Sequence, residues 1–310
     1  MKSIIDPISR DVLAKELSEN KFVRITNNGA NHIYIITFQD SPNVLQEIGR
    51  LRELTFRDAG GGTGKEVDID EFDIADAPYK QLIVWNPEEK EIVGGYRFIK
   101  CGEAPKDKNG IVQLATTELF RFHENFISDY LPTTIELGRS FVQTKYQPSV
   151  NNRKGLFSLD NLWDGLGAIV VDNPDIKHFF GKVTMYTHFN KEARDMILYF
   201  MKKYFPDTEN LVEPIHPLSI NSDTSVFEKM FGSLDYKEGH KILNQFVRAH
   251  DENIPPLVNA YMNLSATMKT FGTANNDTFG DVEETGILVS IADIYPTKKE
   301  RHINSYQPKK

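Results

Sequence analysis

The segment TIELGRSFV (134–142) is the first feature that could carry chemistry, because it sets charged residues inside an apolar, strand-like run. Charges buried in a strand are costly unless they are paired. Side chains alternate along a strand, which predicts Glu136 and Gly138 on one face and Arg139 on the other. Gly138 leaves room for a backbone or a ligand to approach. Two interpretations follow: a structural ion pair with Arg97 or Asp73, or a strand that borders a reaction cleft.

An acidic cluster is the second feature, with Asp68, Asp70 and Asp73 inside the run EVDIDEFDIA. A solvated acidic loop is one interpretation. A calcium loop is excluded, because Phe72 stands at the fifth position and Asp73 where the motif needs glycine. The apolar residues interleaved with the carboxylates are Ile69, Phe72 and Ile74. They could tether the segment to a core and leave the carboxylates in a cleft, ready to bind an ammonium group or order arginines.

A third feature is Asn152-Arg153-Lys154-Gly155, which lies after the strand and before a helical pattern. Backbone N–H groups at a helix start, together with basic side chains, favour phosphate. A solvated loop is the alternative at this point.

These features need a framework of strands and helices to position them. Apolar alternation predicts strands at 21–28, 32–40, 81–86, 91–100, 134–142, 182–189 and 286–294. Helical spacing predicts helices at 10–20, 41–57, 116–130, 159–170, 192–205, 223–231 and 239–249. This order indicates an α+β sheet with helices on both sides. We expect a single domain over 1–310, with 206–310 completing or extending the sheet.

Composition narrows the class of protein. The chain has 310 residues, of which 40% are hydrophobic and 26% charged, a normal globular balance. The net charge of −8 and the lack of a long basic run argue against nucleic-acid binding. Cys101 is the one cysteine, so there is no internal disulfide, and no Cys/His spacing suggests a metal. No signal peptide and no span of ~20 apolar residues are evident, so we expect a cytoplasmic protein whose only membrane contact would be peripheral.

Taken together, these features resemble GNAT-fold acyltransferases that use acyl carrier protein. The chain resembles the bacterial ornithine-lipid and glycine-lipid N-acyltransferases, often labelled hemolysin-like, and more distantly the acyl-homoserine-lactone synthases. In that group an Arg and a Phe on an early helix precede an acidic-x-Asp-x-x-Asp motif. An Arg on the next strand and Glu-x-(Ser/Gly)-Arg on a central strand follow. The matching residues here are Arg52, Phe56, Asp68, Asp70, Asp73, Arg97, Glu136 and Arg139.

The resemblance covers most of residues 44–295, and it includes the run IPPLVNAYMNL (254–264) followed by Asp277-Thr278-Phe279. Two departures stand out. Asp68 occupies a position where the lactone synthases favour Glu. The usual GNAT pyrophosphate loop is reduced to Arg153-Lys154-Gly155-Leu156, which suits a phosphopantetheine carried by a protein better than acetyl-CoA.

The resemblance implies a GNAT-like fold, with a central mixed, splayed β-sheet flanked by helices. It implies transfer of a (3-hydroxy) fatty acyl group from an acyl carrier protein thioester to the amine of glycine or ornithine, in aminolipid synthesis. It implies no tightly bound cofactor, with acyl-phosphopantetheine, on carrier protein or coenzyme A, as co-substrate. Catalytic roles fall to Glu136, Asp70, Asp73 and Arg139. Cofactor contacts fall to Phe141, Val142, Arg153, Lys154 and Gly155. Substrate contacts fall to Arg52, Phe56, Asp68 and Arg97.

Docking of an acidic carrier protein on this acidic chain would need a local basic patch. The candidates are Lys145, Arg153, Lys154, Lys177 and Lys182. Three other functions stay open: a GNAT scaffold that binds a ligand without catalysis, an acetyl-CoA-dependent N-acetyltransferase of a small amine, and a non-catalytic, membrane-active hemolysin-like protein. The last needs an exposed amphipathic segment, and the pattern at 192–205 is more typical of a helix that faces a core.

Overall fold

The strands of this chain form antiparallel sheets with helices packed against them. The structure, a computed structural model, describes residues 1–148, 155 and 157–308. Its contacts divide the chain into two compact units. The first unit comprises Met1–Ala115, Pro132–Lys177 and Tyr295–Lys310, and the second comprises Thr116–Leu131 and His178–Ile294.

The secondary-structure elements have the following bounds. The strands are β1 Phe22–Ile25, β2 His32–Ile36, β3 Lys80–Asn86, β4 Glu91–Lys100, β5 Phe120–Phe122, β6 Thr134–Val142, β7 His178–Met185, β8 Val212–Pro214, β9 Lys269–Asn276 and β10 Val282–Ser290. The helices are α1 Arg10–Glu16, α2 Pro42–Asp58, α3 Glu71–Ile74, α4 Ser158–Asp172, α5 Lys191–Tyr204, α6 Thr224–Phe231, α7 Tyr236–Ala249, α8 Pro256–Met262 and α9 Pro296–His302.

The first unit contains an antiparallel sheet in the order β1-β2-β3-β4-β6. The predicted hairpin between the first two strands is confirmed, and it turns where Gly29 takes a left-handed φ of 85°, which glycine adopts without steric cost. The strands predicted at 81–86, 91–100 and 134–142 correspond to β3, β4 and β6.

Helices cover both faces of this sheet, as the sequence predicts. Neighbouring residues Gln81 and Leu82 on β3 point to opposite faces. Gln81 contacts Arg52 of α2, while a Cβ on Gly165 of α4 would lie 2.6 Å from Leu82. Gly165 thus lets α4 approach β3 closely, and α2 lies on the other face.

The second unit contains an antiparallel sheet in the order β7-β10-β9 and a small pair, β5 with β8. Helix α5 begins at Asn190, whose side chain accepts hydrogen bonds from the N–H groups of Glu192 and Ala193. Its residues Ile197 and Met201 are buried. The predicted 192–205 helix is therefore present, with its apolar face in the interior.

Some predicted elements differ from the observed ones. The helix predicted at 116–130 is wrong over its first part, where β5 stands. Buried Phe120 and exposed Arg121 alternate there with a period of two, the signature of a strand. The strand predicted at 286–294 starts earlier, because Glu283 and Glu284 are buried in β10 through pairing with Arg194 and Lys182. Two polar strands, β8 and β9, carried no apolar pattern in the sequence.

Candidate functional site

Helix α2 carries the first arginine of the site. Arg52 is fully buried, and its Nη1 lies 3.2 Å from Asp73 Oδ2. Its Nη2 donates to the side-chain oxygen of Gln81, and Gln81 Nε2 donates to Asp73 Oδ1 at 2.9 Å. Phe56, one turn further along α2, is also buried. Helix α2 therefore anchors the acidic segment from beneath.

The acidic segment forms a short helix whose start explains the spacing of two aspartates. Asp70 is the N-cap of α3, and its Oδ1 accepts from the N–H of Phe72 at 3.1 Å. In return, Asp73 Oδ2 accepts from the N–H of Asp70 at 3.3 Å, which completes a capping box. The three-residue spacing of these aspartates thus serves local structure as well as chemistry.

The apolar residues of this segment tether it only in part. A Cβ on Gly49 of α2 would lie 2.7 Å from Ile69 Cγ1, so Ile69 packs closely on that helix. The ring of Phe72 packs edge-on against Tyr79, with centroids 5.6 Å apart. Ile74 is 50% exposed, so the expectation that it joins the core is wrong.

Strand β4 supplies the second arginine. Arg97 Nη1 donates to both oxygens of Asp70 at 2.7 Å and lies 3.4 Å from Asp73 Oδ2. Its guanidinium also lies over the rings of Tyr79 and Phe72, at 5.2 and 5.8 Å from their centroids. Arg97 thus joins the two capping-box carboxylates from the sheet side.

Strand β6 supplies the third arginine through a β-bulge. Gly95 pairs with Phe141 and Arg97 with Gly138, so two residues of β6 face one residue of β4. Arg139, in the bulge, has a left-handed φ of 49°. Its Nε lies 2.9 Å from Asp68 Oδ2, and its Nη2 lies 3.7 Å from Asp70. The predicted placement of Arg139 on the face opposite Glu136 is therefore wrong, because the bulge interrupts the alternation.

Three arginines and three aspartates thus form one ionic network, which we call the Arg–Asp network. Its members are Arg52, Arg97, Arg139, Asp68, Asp70 and Asp73. Its inner part is closed to solvent, since the side chains of Arg52 and Asp73 are 1% and 0% exposed. Its outer part is accessible, since those of Asp70 and Arg139 are 18% and 13% exposed. A ligand would meet Asp70 and Arg139 first.

Burial and ion pairing act in opposite directions on Arg52, Arg97 and Asp73. Burial works against charge on Asp73, but Arg52 and Arg97 outweigh it and hold the pKa of Asp73 below its usual range. Burial also opposes charge on Arg97, yet Asp73 and Asp70 raise its pKa. Burial lowers the pKa of Arg52, and the carboxylate of Asp73 acts in the opposite direction. An arginine stays protonated in such a setting.

Glu136 lies on the same face of the sheet as Arg97, because it pairs with Ile99 two residues further along β4. It is 1% exposed. Its Oε1 accepts a hydrogen bond from the hydroxyl of Tyr79 at 3.0 Å. Tyr79 also touches Arg97, so it connects Glu136 to the Arg–Asp network.

The predicted cofactor contacts are placed in part. Phe141 is buried, and a Cβ on Gly94 of β4 would lie 2.4 Å from its carbonyl oxygen, so the two backbones approach very closely. Val142, at the end of β6, is half-buried. A Cβ on Gly155 would lie 2.6 Å from the carbonyl oxygen of Tyr146. Arg153 and Lys154 lie outside the described residues.

The predicted basic patch loses two of its charges to nearby carboxylates. Lys145 Nζ lies 2.6 Å from Glu91 and 3.8 Å from Glu89. Lys182 is paired with Glu284. Lys177 is exposed. Docking of a carrier protein on this patch would therefore depend chiefly on Lys177 and on the undescribed Arg153 and Lys154.

Three residues that the sequence analysis did not single out also shape the site. Tyr79 and Gln81 flank the start of β3, where an aromatic and an amide resemble ordinary core and edge residues. Glu53 is fully buried in α2 and accepts hydrogen bonds from the N–H groups of Thr63 and Gly64, at 3.0 and 2.8 Å. It thereby fixes the glycine-rich turn before Asp68. In the sequence, Glu53 shows only as a charged residue next to Arg52, and its burial becomes evident in the structure.

No helix within the described ranges combines the length and apolar character that crossing a bilayer requires.

Comparisons with known proteins place this site in a family. A family model described as an acetyltransferase (GNAT) domain matches residues 51–153, the stretch that includes the Arg–Asp network and Glu136. A glycine N(alpha)-acyltransferase of Phocaeicola vulgatus is 56% identical over 99% of this chain and 94% of its own length. A glycine N(alpha)-acyltransferase of Bacteroides thetaiotaomicron is 54% identical over 99% of this chain and 91% of its own length.

Among solved structures, the AHL synthase LasI matches 50% of this chain and 73% of its own, with 16% identity and a TM-score of 0.33. That match is too distant to inform the activity. The two full-length relatives and the family model agree with the predicted GNAT fold and with acyl transfer to an amine. The chain therefore belongs to the GNAT-type amino-acid N-acyltransferase family that includes these two proteins.

Proposed function

We propose that this enzyme transfers a fatty acyl group, such as a 3-hydroxy fatty acyl group, from an acyl carrier protein thioester to the α-amine of glycine. The names of the two relatives support glycine over ornithine. One structural observation carries the proposal: the accessible edge of the Arg–Asp network sets a carboxylate beside a guanidinium, Asp70 and Arg139, 3.7 Å apart. In this proposal the whole chain works as one acyltransferase domain.

Such an edge suits a zwitterion. A free amino acid carries an ammonium and a carboxylate a few ångströms apart, and each can replace one half of an existing ion pair. Asp70 would accept from the ammonium, while Arg139 would bind the carboxylate through two parallel N–H groups. Arg97 and Asp73 hold Asp70 from the inner side, so Asp70 would keep its position when the ammonium takes the place of Arg139.

The reaction then needs a proton acceptor. The ammonium must lose a proton before the nitrogen can attack the thioester carbon, and Glu136 would take it directly or through an ordered water. A C–N bond forms, the C–S bond breaks, and a proton returns to the leaving thiolate of the pantetheine. A backbone N–H of β6 near Phe141 would stabilise the oxyanion that forms between these steps.

The acyl donor would bind along the C-terminal end of β6 and the loop that follows it. The pantetheine arm would run beside Phe141 and Val142, with Arg153, Lys154 and Gly155 at its phosphate. The short Arg153-Lys154-Gly155-Leu156 loop supports a phosphopantetheine on a carrier protein over coenzyme A. The product, an N-acylated amino acid with a long chain, would be an amphiphile, which fits an aminolipid pathway on the cytoplasmic side of a membrane.

The test compares four substrate pairs with purified enzyme: long-chain acyl carrier protein or acetyl-CoA as donor, and glycine or ornithine as acceptor. We expect N-acylglycine from the carrier protein, identified by mass spectrometry. We also expect Glu136→Gln to lower kcat by about 10²–10³-fold, in line with the loss of a general base. Glu124→Gln, at an exposed glutamate of the second unit, serves as the control and should keep full activity.

Two outcomes would contradict the proposal. A higher kcat/KM with acetyl-CoA would favour a small-molecule N-acetyltransferase. An unchanged kcat in Glu136→Gln, with the fold intact by circular dichroism, would remove Glu136 as the base. The membrane-active alternative loses its candidate segment, since the apolar residues Ile197, Leu198 and Met201 of α5 are buried.

A further inference from the structure

Tyr79 contacts both Glu136 and Arg97 of the Arg–Asp network. We infer that Tyr79 is a positioning residue for the acyl transfer: its hydroxyl fixes the Glu136 carboxylate and keeps it in the charged form that accepts a proton. This inference rests on the proposed role of Glu136 as the base.

The hydroxyl of Tyr79 is held from two sides. It donates to Glu136 Oε1 at 3.0 Å and accepts from the N–H of Ala115 at 3.0 Å. Because the Ala115 N–H fills an acceptor position on the oxygen, the hydroxyl proton is directed at the carboxylate. Tyr79 is 1% exposed, so no bulk water competes for this bond.

The rest of Tyr79 is fixed by the network. Its N–H donates to the carbonyl of Phe72 at 2.8 Å, which ties it to the capped helix α3. The guanidinium of Arg97 lies over its ring, 5.2 Å from the centroid. A rigid path therefore runs from Asp70 and Asp73 through the backbone of α3 to the hydroxyl at Glu136.

The hydrogen bond from Tyr79 favours the ionised form of Glu136. Burial, followed by the negative charge of Glu136, raises the pKa of the Tyr79 phenol well above its usual value, so the residue stays a donor. A hydrogen bond donated to a carboxylate favours the ionised form. Its removal would favour the protonated form, so activity that needs a free carboxylate would be lost at a higher pH.

Two titratable groups near Glu136 keep their protonation states on the acidic side. Burial, followed by Glu136 itself, raises the pKa of the Cys101 thiol. Arg97, on the neighbouring strand, remains charged because Asp73 and Asp70 raise its pKa. Neither Cys101 nor Arg97 would titrate on the acidic side. Tyr79→Phe leaves the contacts of Asp70 with Phe72, Arg97 and Arg139 in place, so a shift of the acidic limb in this variant would report on Glu136.

The test is the pH profile of kcat/KM for Tyr79→Phe, which retains the ring and its contact with Arg97. We expect the acidic limb to move to higher pH by about one to two units. We also expect kcat at neutral pH to fall about tenfold or more. Adding Tyr79→Phe to Glu136→Gln should cost nothing further, because both changes act on one group.

The matched control is Tyr146→Phe. Tyr146 is also buried in the first unit, and its hydroxyl donates to Glu91 at 3.1 Å, at the opposite end of β4 from Ile99. This variant removes the same kind of hydrogen bond from a glutamate outside the site. Its acidic limb should coincide with that of the parent enzyme.

The outcomes separate the two proposals. If Glu136→Gln is inactive but Tyr79→Phe leaves the acidic limb in place, the role of Tyr79 is overturned and the base survives. If Glu136→Gln retains full kcat, both fall. Should Tyr79→Phe fail to fold, 3,5-difluorotyrosine at position 79 provides the second route. Its stronger hydrogen bond should move the limb to lower pH, and an unmoved limb would overturn the inference.

Discussion

Two buried ionic clusters in this molecule differ in what their charges hold. In the second unit, Arg194 pairs with Asp195 at 2.7 Å and with Glu283. The remaining oxygen of Asp195 accepts from the N–H groups of Asn221 and Ser222, at 3.2 and 3.0 Å, and from the Ser222 hydroxyl at 2.8 Å. Asp195 is 1% exposed and protein donors occupy both of its oxygens, so this carboxylate fixes the loop at Asn221 and Ser222.

The Arg–Asp network of the first unit has a closed inner part and an accessible edge. Asp73 resembles Asp195, since both are buried and both accept backbone and side-chain hydrogen bonds. Asp70 and Arg139 retain solvent access. The comparison teaches that an ionic cluster serves stability where its charged groups are all buried and paired within the protein. It can also serve chemistry where some of its charged groups remain accessible to solvent.

A substitution in the inner part of the Arg–Asp network should cause the largest loss of stability. Asp73→Ala leaves Arg52 buried without its main counter-charge, and breaking a buried pair in this way costs about 3–5 kcal/mol. We expect the free energy of unfolding, measured in urea, to fall by about that amount. Glu71→Ala, an exposed neighbour in α3, should change it by less than about 1 kcal/mol. Equal stability of the two variants would break the comparison.

A substitution at the accessible edge of the network should lower activity more than stability. Asp70→Asn keeps the N-cap acceptor but removes the charge that would meet the ammonium, so we expect kcat/KM for glycine to fall about 10²-fold. Stability should change far less than in Asp73→Ala. Asp76→Asn, an exposed neighbour, is the control. A large loss of stability with unchanged kcat/KM would assign Asp70 to the inner part.

The loop-fixing cluster should give the smallest effect and no change in catalysis. Asp195→Ala leaves Arg194 with Glu283, so we expect a loss of only about 2 kcal/mol in urea unfolding. Ser222→Ala, which removes one of its hydrogen bonds, should cost about 1 kcal/mol. We expect kcat/KM of both folded variants to stay within about twofold of the parent. A selective loss of kcat would show that this cluster also serves the reaction.

The strands around the site were predicted from the alternation of their apolar residues. The charged residues were singled out because a charge within an apolar run must find a partner when it is buried. Arg97, Glu136 and the three aspartates were identified in this way, together with the family resemblance. The β-bulge at Arg139 was beyond reach, since it depends on the register between β6 and β4. Tyr79 was missed because an aromatic before a strand resembles any core residue, and its function lies in one hydroxyl contact.

The β-bulge carries a consequence for anyone who redesigns or transplants this site. The aim of Arg139 depends on one extra residue in β6, in a left-handed conformation that few side chains adopt readily. A grafted copy of the motif on a regular strand would send the guanidinium to the wrong side of the sheet, even with every residue type preserved. A portable version of this chemistry must therefore include the irregular backbone along with the side chains.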